Sequence, residues 1–151
     1  MIRLSRETDY SLLAMTYIAA QPEGRLAYRR EIAAHYDIPS EFLAKVLQKL
    51  SRRGLLRSSR GMNGGYALGR RPDRITLAEV IEAVDGPIAL VDCQCGDRPC
   101  AQKSVCSVLS TLVGVRREIL RVLGGISLDD MGRRPARGNE PGLITPRVAH
   151  R

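Results

Sequence analysis

The chain has 151 residues, of which 44% are hydrophobic, a length and apolar content that suit one globular core with an appendage. Lys and Arg outnumber Asp and Glu by 24 to 16, for a net charge of +8. No apolar run approaches the roughly 20 residues that a membrane-spanning helix needs, so a helical membrane protein is excluded.

The first stretch, "MIRLSRETDYSLLAMTYIAAQPEG", sets basic residues before apolar ones, as a signal peptide does. However, Glu7 and Asp9 precede the apolar part, and Ser11, Thr16 and Tyr17 interrupt it. It reads instead as an amphipathic helix from Ser5 to Ala20, with Leu12, Leu13, Thr16, Tyr17 and Ala20 at helical spacing. Ser5 is the expected N-cap, and the two acids sit at the positive end of the helix dipole. A cytoplasmic location is expected, where thiols stay reduced. "QPEG" breaks the chain, and "YRREIAAHY" forms a short second helix with Ile32, Ala33 and Tyr36 on one side. Asp37 opens a turn, and Pro39 biases Ile38 away from helix.

A third helix follows, with Ser40 as its expected cap, Phe42, Leu43, Val46, Leu47 and Leu50 as a buried stripe, and Gly54 as its C-terminal glycine. Its opposite face carries Glu41, Ala44, Lys45, Gln48, Lys49 and Arg52. Two helices joined by a tight turn, the second polar and basic outward, are the helix-turn-helix arrangement, in which the second helix enters the major groove. "LLRSSRGMNGGYALG" then predicts a strand over 55–59, a turn over 60–64 and a return strand over 65–68, with Asn63 and Gly64 tolerating positive φ. A hairpin in this place is the wing of a winged helix, with Arg60 at its tip and Arg70 at its base. Between Lys45 and Arg74 nine Lys or Arg residues stand against the single acid Asp73. A solvated basic face could carry the same charge, but helix, turn, helix and arginine-tipped hairpin together point to polyphosphate. Glu41, Ala44, Lys45 and Gln48 are expected to read bases, Lys49, Arg52 and Arg57 to hold phosphates, and Arg60 to enter the minor groove.

"TLAE" predicts a capping box, Thr76 with Glu79, opening a fourth helix that ends at Asp85 before Gly86-Pro87. The loop "LVDCQCGDRPCAQKSVC" then holds all four cysteines, Cys93, Cys95, Cys100 and Cys106. In a reducing compartment a disulfide framework has little support, which leaves metal binding or thiol chemistry. Iron–sulfur clusters take soft thiolates from loops, and zinc commonly takes cysteines two to four residues apart. The gaps here are one, four and five residues, and from the residues alone cluster and zinc remain comparable. A thiol-redox enzyme with Cys93 and Cys95 as reactive pair would have only Arg98 and Lys103 as nearby activators, and no nucleotide-binding glycine loop is present.

A long amphipathic helix is predicted from Lys103, with Val105, Val108, Leu109, Leu112, Val115, Ile119, Leu120 and Leu123 as its stripe. Such a helix on a small domain needs a partner surface: either it folds back on its own domain or, the favoured reading, a second copy covers it and places two reading helices on two half-sites. "GGISLDDM" makes a short last turn, and the Pro-, Gly- and Arg-rich 132–151 has the composition of a disordered tail. The expected fold is mostly α with a small β wing: a winged helix-turn-helix domain over 1–89, a cysteine-rich loop over 90–106, a dimerisation helix and short turn over 107–131, and the tail.

"RLSRETDYSLLAM", "IPSEFLAKVLQKLSRRGLLRSSRGMNGGYALG" and "ITLAEVIEAVDGPIALVDC" together resemble the dimeric winged-helix regulators that carry iron–sulfur clusters, the family of the IscR, NsrR and RirA repressors. The resemblance covers about residues 1–131, and the wing "RGMNGGYALG" is closer to the NsrR and RirA branches. It implies a homodimeric, sequence-specific DNA-binding repressor that is not an enzyme. A cluster at the dimer interface would change its affinity for operator DNA in response to iron, cluster supply, nitric oxide or redox stress. It further implies Cys93, in its "LVDC" context, with Cys100 and Cys106 as ligands, leaving Cys95 extra. IscR-like members use a histidine three residues after the last cysteine, where this chain has Leu109; NsrR-like members use an aspartate of the first helix from the partner subunit, matched by Asp9. Glu7 and Cys95 are the alternative fourth ligands, and a 4Fe-4S cluster is favoured over 2Fe-2S. The rival readings are a zinc-stapled winged-helix module and the thiol-redox enzyme. No small-molecule substrate and no membrane partner are expected.

Overall fold

Ser5 opens the first helix as expected, its hydroxyl accepting from the Thr8 amide at 3.1 Å. The structure, a computed structural model, describes residues 4–59, 61, 64–91 and 105–133. In chain order these form α1 (Arg6–Ala19), α2 (Arg29–Tyr36), α3 (Ser40–Arg52), β1 (Leu56–Ser59), β2 (Gly65–Leu68), a 3-10 turn (Pro72–Arg74), α4 (Leu77–Asp85), α5 (Leu109–Gly124) and α6 (Leu128–Gly132). Cys93, Cys95, Cys100, Arg60, Asn63 and residues 134–151 of the expected tail fall outside the described residues, and so does what was expected of them. Gly132, expected to open the tail, still belongs to α6, and Arg133 pairs with Asp129 at 2.7 Å.

Helix α1 is the central post, packed against α2, α3, α4, α6 and β2. Its buried face is Thr8, Ser11, Ala14, Met15 and Ile18, whereas the expected Leu12, Leu13, Thr16 and Tyr17 lie half-buried beside it and Ala20 is exposed. The correction has a physical cause: polar side chains enter a core when their hydrogen bonds are met. The Ser11 hydroxyl donates to the Glu7 carbonyl at 2.6 Å, and the Thr8 hydroxyl donates to the Asp85 carboxylate at 2.8 Å.

Asp37 ends α2 in the left-handed region (φ 52°), a conformation that aspartate tolerates better than most residues, and turns the chain into α3. Ser40 is not the cap of α3. The Pro39 carbonyl already accepts from the Leu43 amide at 3.0 Å, so the helix begins at Ser40 and its hydroxyl comes one position too late. Leu43, Val46, Leu47 and Leu50 are fully buried, each contributing roughly 1.5–3 kcal/mol by leaving water, while Phe42 is half-buried against Tyr10.

The wing pairs antiparallel with Leu56 opposite Leu68 and Ser58 opposite Tyr66. Gly61 takes positive φ (106°), and the Gly64 amide closes the turn on the Gly61 carbonyl at 2.9 Å. A third, one-residue strand, not expected from the sequence, joins the sheet: Ala27 and Tyr66 exchange both backbone bonds at 2.9 Å. After α5 the chain returns to the start of α4, where the Leu77 amide donates to Ile126 and the Leu128 amide to Ile75. Ile126 and Leu128 are buried, so the short last turn, grouped above with the dimerisation helix, packs in the winged-helix core. Helix α5 packs along one side on α4, and among its residues none is fully buried. It starts at Leu109 rather than Lys103, and Val105 and Val108 are exposed ahead of it. Periodicity identifies an apolar face; it does not fix where the first backbone bond forms, here from the Leu112 amide to the Val108 carbonyl.

At the foot of β2, a Cβ on Gly69 would lie 2.1 Å from the Gly54 carbonyl oxygen. Gly69→Ala is therefore expected to destabilise the fold by about 1–3 kcal/mol. A lower urea midpoint at unchanged slope would be the sign of it; a wild-type midpoint would show that the wing's base has room.

Candidate nucleic-acid interface and cysteine segment

Helical geometry sets Glu41, Lys45, Gln48 and Arg52 along one exposed stripe of α3, opposite its buried leucines. Glu41, Ala44, Lys45 and Gln48, the four residues expected to read bases, line one groove between α3 and the wing. Ser51, Ser58 and Tyr66 complete that groove and were not expected. The signal for the last two was present in the strand period. Leu56 is buried, so Ser58 shares its face, and Tyr66 stands opposite Ser58. The two backbone bonds from Tyr66 to Ala27 then fix the wing's position beside α3.

The basic residues separate into different places. Arg52 is exposed at the end of the α3 stripe. Arg57, one residue from Ser58, alternates to the other side of β1 and donates to the Gly69 carbonyl at 3.3 Å. There it lines a second groove with Arg25, Arg70 and Arg71. Lys49, expected to face phosphate, turns to α1 and pairs with Glu7, while also donating to the Val84 carbonyl of α4 at 3.4 Å. Arg70, at the base of the wing, pairs with Glu79 at 2.9 Å. Burial on its own pushes the Glu79 carboxyl up, but the Thr76 amide and the Arg70 guanidinium outweigh it and hold the group below its ordinary range.

Of the cysteine segment, Cys106 is described, half-buried just ahead of α5. Asp9 is exposed on α1, and its carboxylate makes no hydrogen bond or ion pair among the described residues. Glu7, the alternative acid, is engaged by Lys49. No three His, Cys, Asp or Glu side chains gather as a metal site among the described residues. His35 packs its ring against Tyr36 and Tyr17, with centroids 4.5 and 5.2 Å away. The described residues contain no helix long and apolar enough to cross a membrane.

Residues 4–134 match the Rrf2 family, described as an iron-dependent transcriptional regulator. The chain belongs to the Rrf2 family. It is 34% identical over 131 residues to Protein aau3 of Rhizobium meliloti, covering 86% of this chain and 84% of that protein. It is 31% identical to the HTH-type transcriptional regulator NsrR of Halalkalibacterium halodurans, over 86% of this chain and 90% of that one. Among solved structures, CymR (YrzC), the global cysteine regulator of B. subtilis, matches with a TM-score of 0.69 at 26% identity, over 87% of this chain and 97% of that one. As an Rrf2 member the chain is a DNA-binding transcriptional regulator with a winged-helix fold, and the thiol-enzyme reading is set aside.

The Glu79 shift has a definite sign. A carboxyl whose folded pKa is lowered adds stability above its unfolded pKa and loses it as pH falls through the folded value. Glu79→Gln is expected to flatten the acid side of this Rrf2 protein's stability profile and leave the neutral side with a small loss. Urea midpoints across acid pH would test this, and an unchanged acid slope would show that the Arg70 pair does not act.

Proposed function

We propose that the chain is a homodimeric, sequence-specific repressor whose affinity for operator DNA is switched by an iron–sulfur cluster held in the cysteine segment. The observation that carries this reading is the gathering of all four cysteines between α4 and α5, in a chain that also presents a polar groove of α3 and wing residues. The donor chemistry fits: thiolates are the ligands clusters take, Cys106 is half-buried before α5, and the Asp9 carboxylate has no other partner among the described residues. Cys93, Cys100 and Cys106 would hold the cluster, with Asp9 of the partner subunit as fourth ligand and Leu109 in place of a histidine, which favours 4Fe-4S. Cys95 stands as an alternative ligand, and Glu7 is less available because Lys49 occupies it. When bound, the group supplies a centre that iron status, nitric oxide or oxidants can alter. NsrR and CymR, regulators by their names, support a regulatory role for the same architecture.

Helix α5 supports the dimer. Leu112, Val115, Ile119 and Val122 repeat at three, four and three residues, the seam of a coiled coil, and its own chain leaves Val115 exposed and the other three only half-buried. A second copy of α5 is the occupant whose pattern matches that seam. On DNA, Glu41, Ala44, Lys45 and Gln48 would read bases, Arg52 and Arg57 would hold phosphates, and Arg60 would enter the minor groove.

Protein purified without oxygen is expected to be brown and to hold about four iron and four sulfide per chain, with both lost in Cys106→Ala. A colourless protein that holds zinc instead would favour the stapled module and sink the sensing role. On the DNA side, Gln48→Ala should relax preference at one base position by about 1–3 kcal/mol. Arg52→Ala should weaken all duplexes alike and reduce the salt slope by about one. Fluorescence anisotropy over a salt series separates the two, and the opposite pattern would reverse their roles.

A further inference from the structure

Three helices meet at the N-terminus of α1. The Asp85 carboxylate, at the end of α4, accepts from the Ser5 hydroxyl at 2.6 Å, the Thr8 hydroxyl at 2.8 Å and the Ser5 amide at 3.4 Å. A carboxylate is disfavoured at the negative end of its own helix, and here the positive end of α1 compensates it. One turn of α1 carries both Thr8, fully buried, and Glu7, which takes the ammonium of Lys49 from α3. The same ammonium donates to the carbonyl of Val84, next to Asp85. Three residues further on, the Ile88 carbonyl accepts from Arg116 of α5 at 2.6 Å. The end of α4 is thus bonded to α1, α3 and, through Ile88, α5, immediately before the chain enters the cysteine segment.

We propose that Lys49 is a positioning residue and not a phosphate contact: it ties the sequence-reading helix α3 to the junction of α1 and α4, so that the reading face follows the end of α4. The inference rests on the base-reading role proposed above for α3. Three points carry it. Lys49 lies on the edge of α3 between its exposed stripe and its buried leucines, and both acceptors it reaches belong to other helices. The pair is half-exposed, with side chains 41% and 32% accessible, so it adds little to stability and its effect is on where α3 sits. Its anchors are themselves held, Glu7 by the turn of α1 whose Thr8 hydroxyl bonds to Asp85 and Val84 by its place in the core.

The test uses the full chain and an operator selected from random duplexes by the wild-type protein. Operator and random-duplex affinities are measured over a salt series for Lys49→Met, Lys49→Arg, Asp85→Ala and the Lys49→Met, Asp85→Ala double variant, with thermal melting to confirm folding. Lys49→Met is expected to lose about tenfold on the operator, with random-duplex affinity and salt slope unchanged, and Lys49→Arg to recover most of it. Asp85→Ala removes a negative charge, which by electrostatics alone would strengthen DNA binding. Through the junction it should instead lose operator affinity, and the double variant should lose no more than the worse single one. Equal weakening on both DNAs with a slope lower by about one would overturn the proposal and return Lys49 to the phosphates. A folded Asp85→Ala with wild-type operator affinity would overturn it too. Should the wild type select no sequence, the reading role of α3 fails and the positioning role with it. Should the expected losses occur in protein free of iron, the cluster reading alone fails and Lys49 keeps its role.

Discussion

The Thr8 hydroxyl has no exposed surface, and a buried hydroxyl without a partner would destabilise the fold by about 1–3 kcal/mol. Its acceptor comes from Asp85, 77 residues away in sequence. That requirement places α4 across the start of α1 and so decides where the chain leaves the domain for the cysteine segment. Ser5 shares the same carboxylate while capping α1, which makes the beginning of one helix and the end of another a single hydrogen-bonded unit. The groove between α3 and the wing is arranged around that unit, because α3 packs on both α1 and α4.

Much of the fold could be read directly from residue patterns. Helix α3, its glycine terminator, the Thr76–Glu79 capping box and the hairpin all have local signals: an apolar period of 3.6, a glycine at φ 72°, a Ser/Thr-to-Glu spacing, a two-residue alternation. What escaped was non-local. Nothing about Thr8 or Ser11 marks them as core until Asp85 and the Glu7 carbonyl are seen to satisfy them. The Ala27–Tyr66 pair is made by backbone atoms alone, so neither side chain announces it. In α5 the apolar period continues past the helix, which is why the expected start lay too early.

The candidate site divides along the same line. Glu41, Ala44, Lys45 and Gln48 were legible because one helix places them together, whereas Ser51, Ser58 and Tyr66 required the register of two strands against that helix. Lys49 illustrates the limit of residue type as a guide. A lysine on a helix proposed to read DNA in a basic domain reads as a phosphate contact, and only the position of Glu7 on a neighbouring helix reveals the ion pair it makes instead. Asp9, two residues along, has no such partner among the described residues, although its sequence setting is almost the same.

The return of the chain after α5 has a mechanical consequence. Ile126 and Leu128 bond to the residues that open α4, and Arg116 holds the Ile88 carbonyl from the middle of α5. The exposed helix is therefore a handle riveted to its own domain at more than one point, not an arm on a hinge. Two such handles laid against each other would fix the distance and angle between two reading heads. Tolerance for operators of different half-site spacing would then have to come from bending of the DNA, because the protein's own frame has little freedom to supply it.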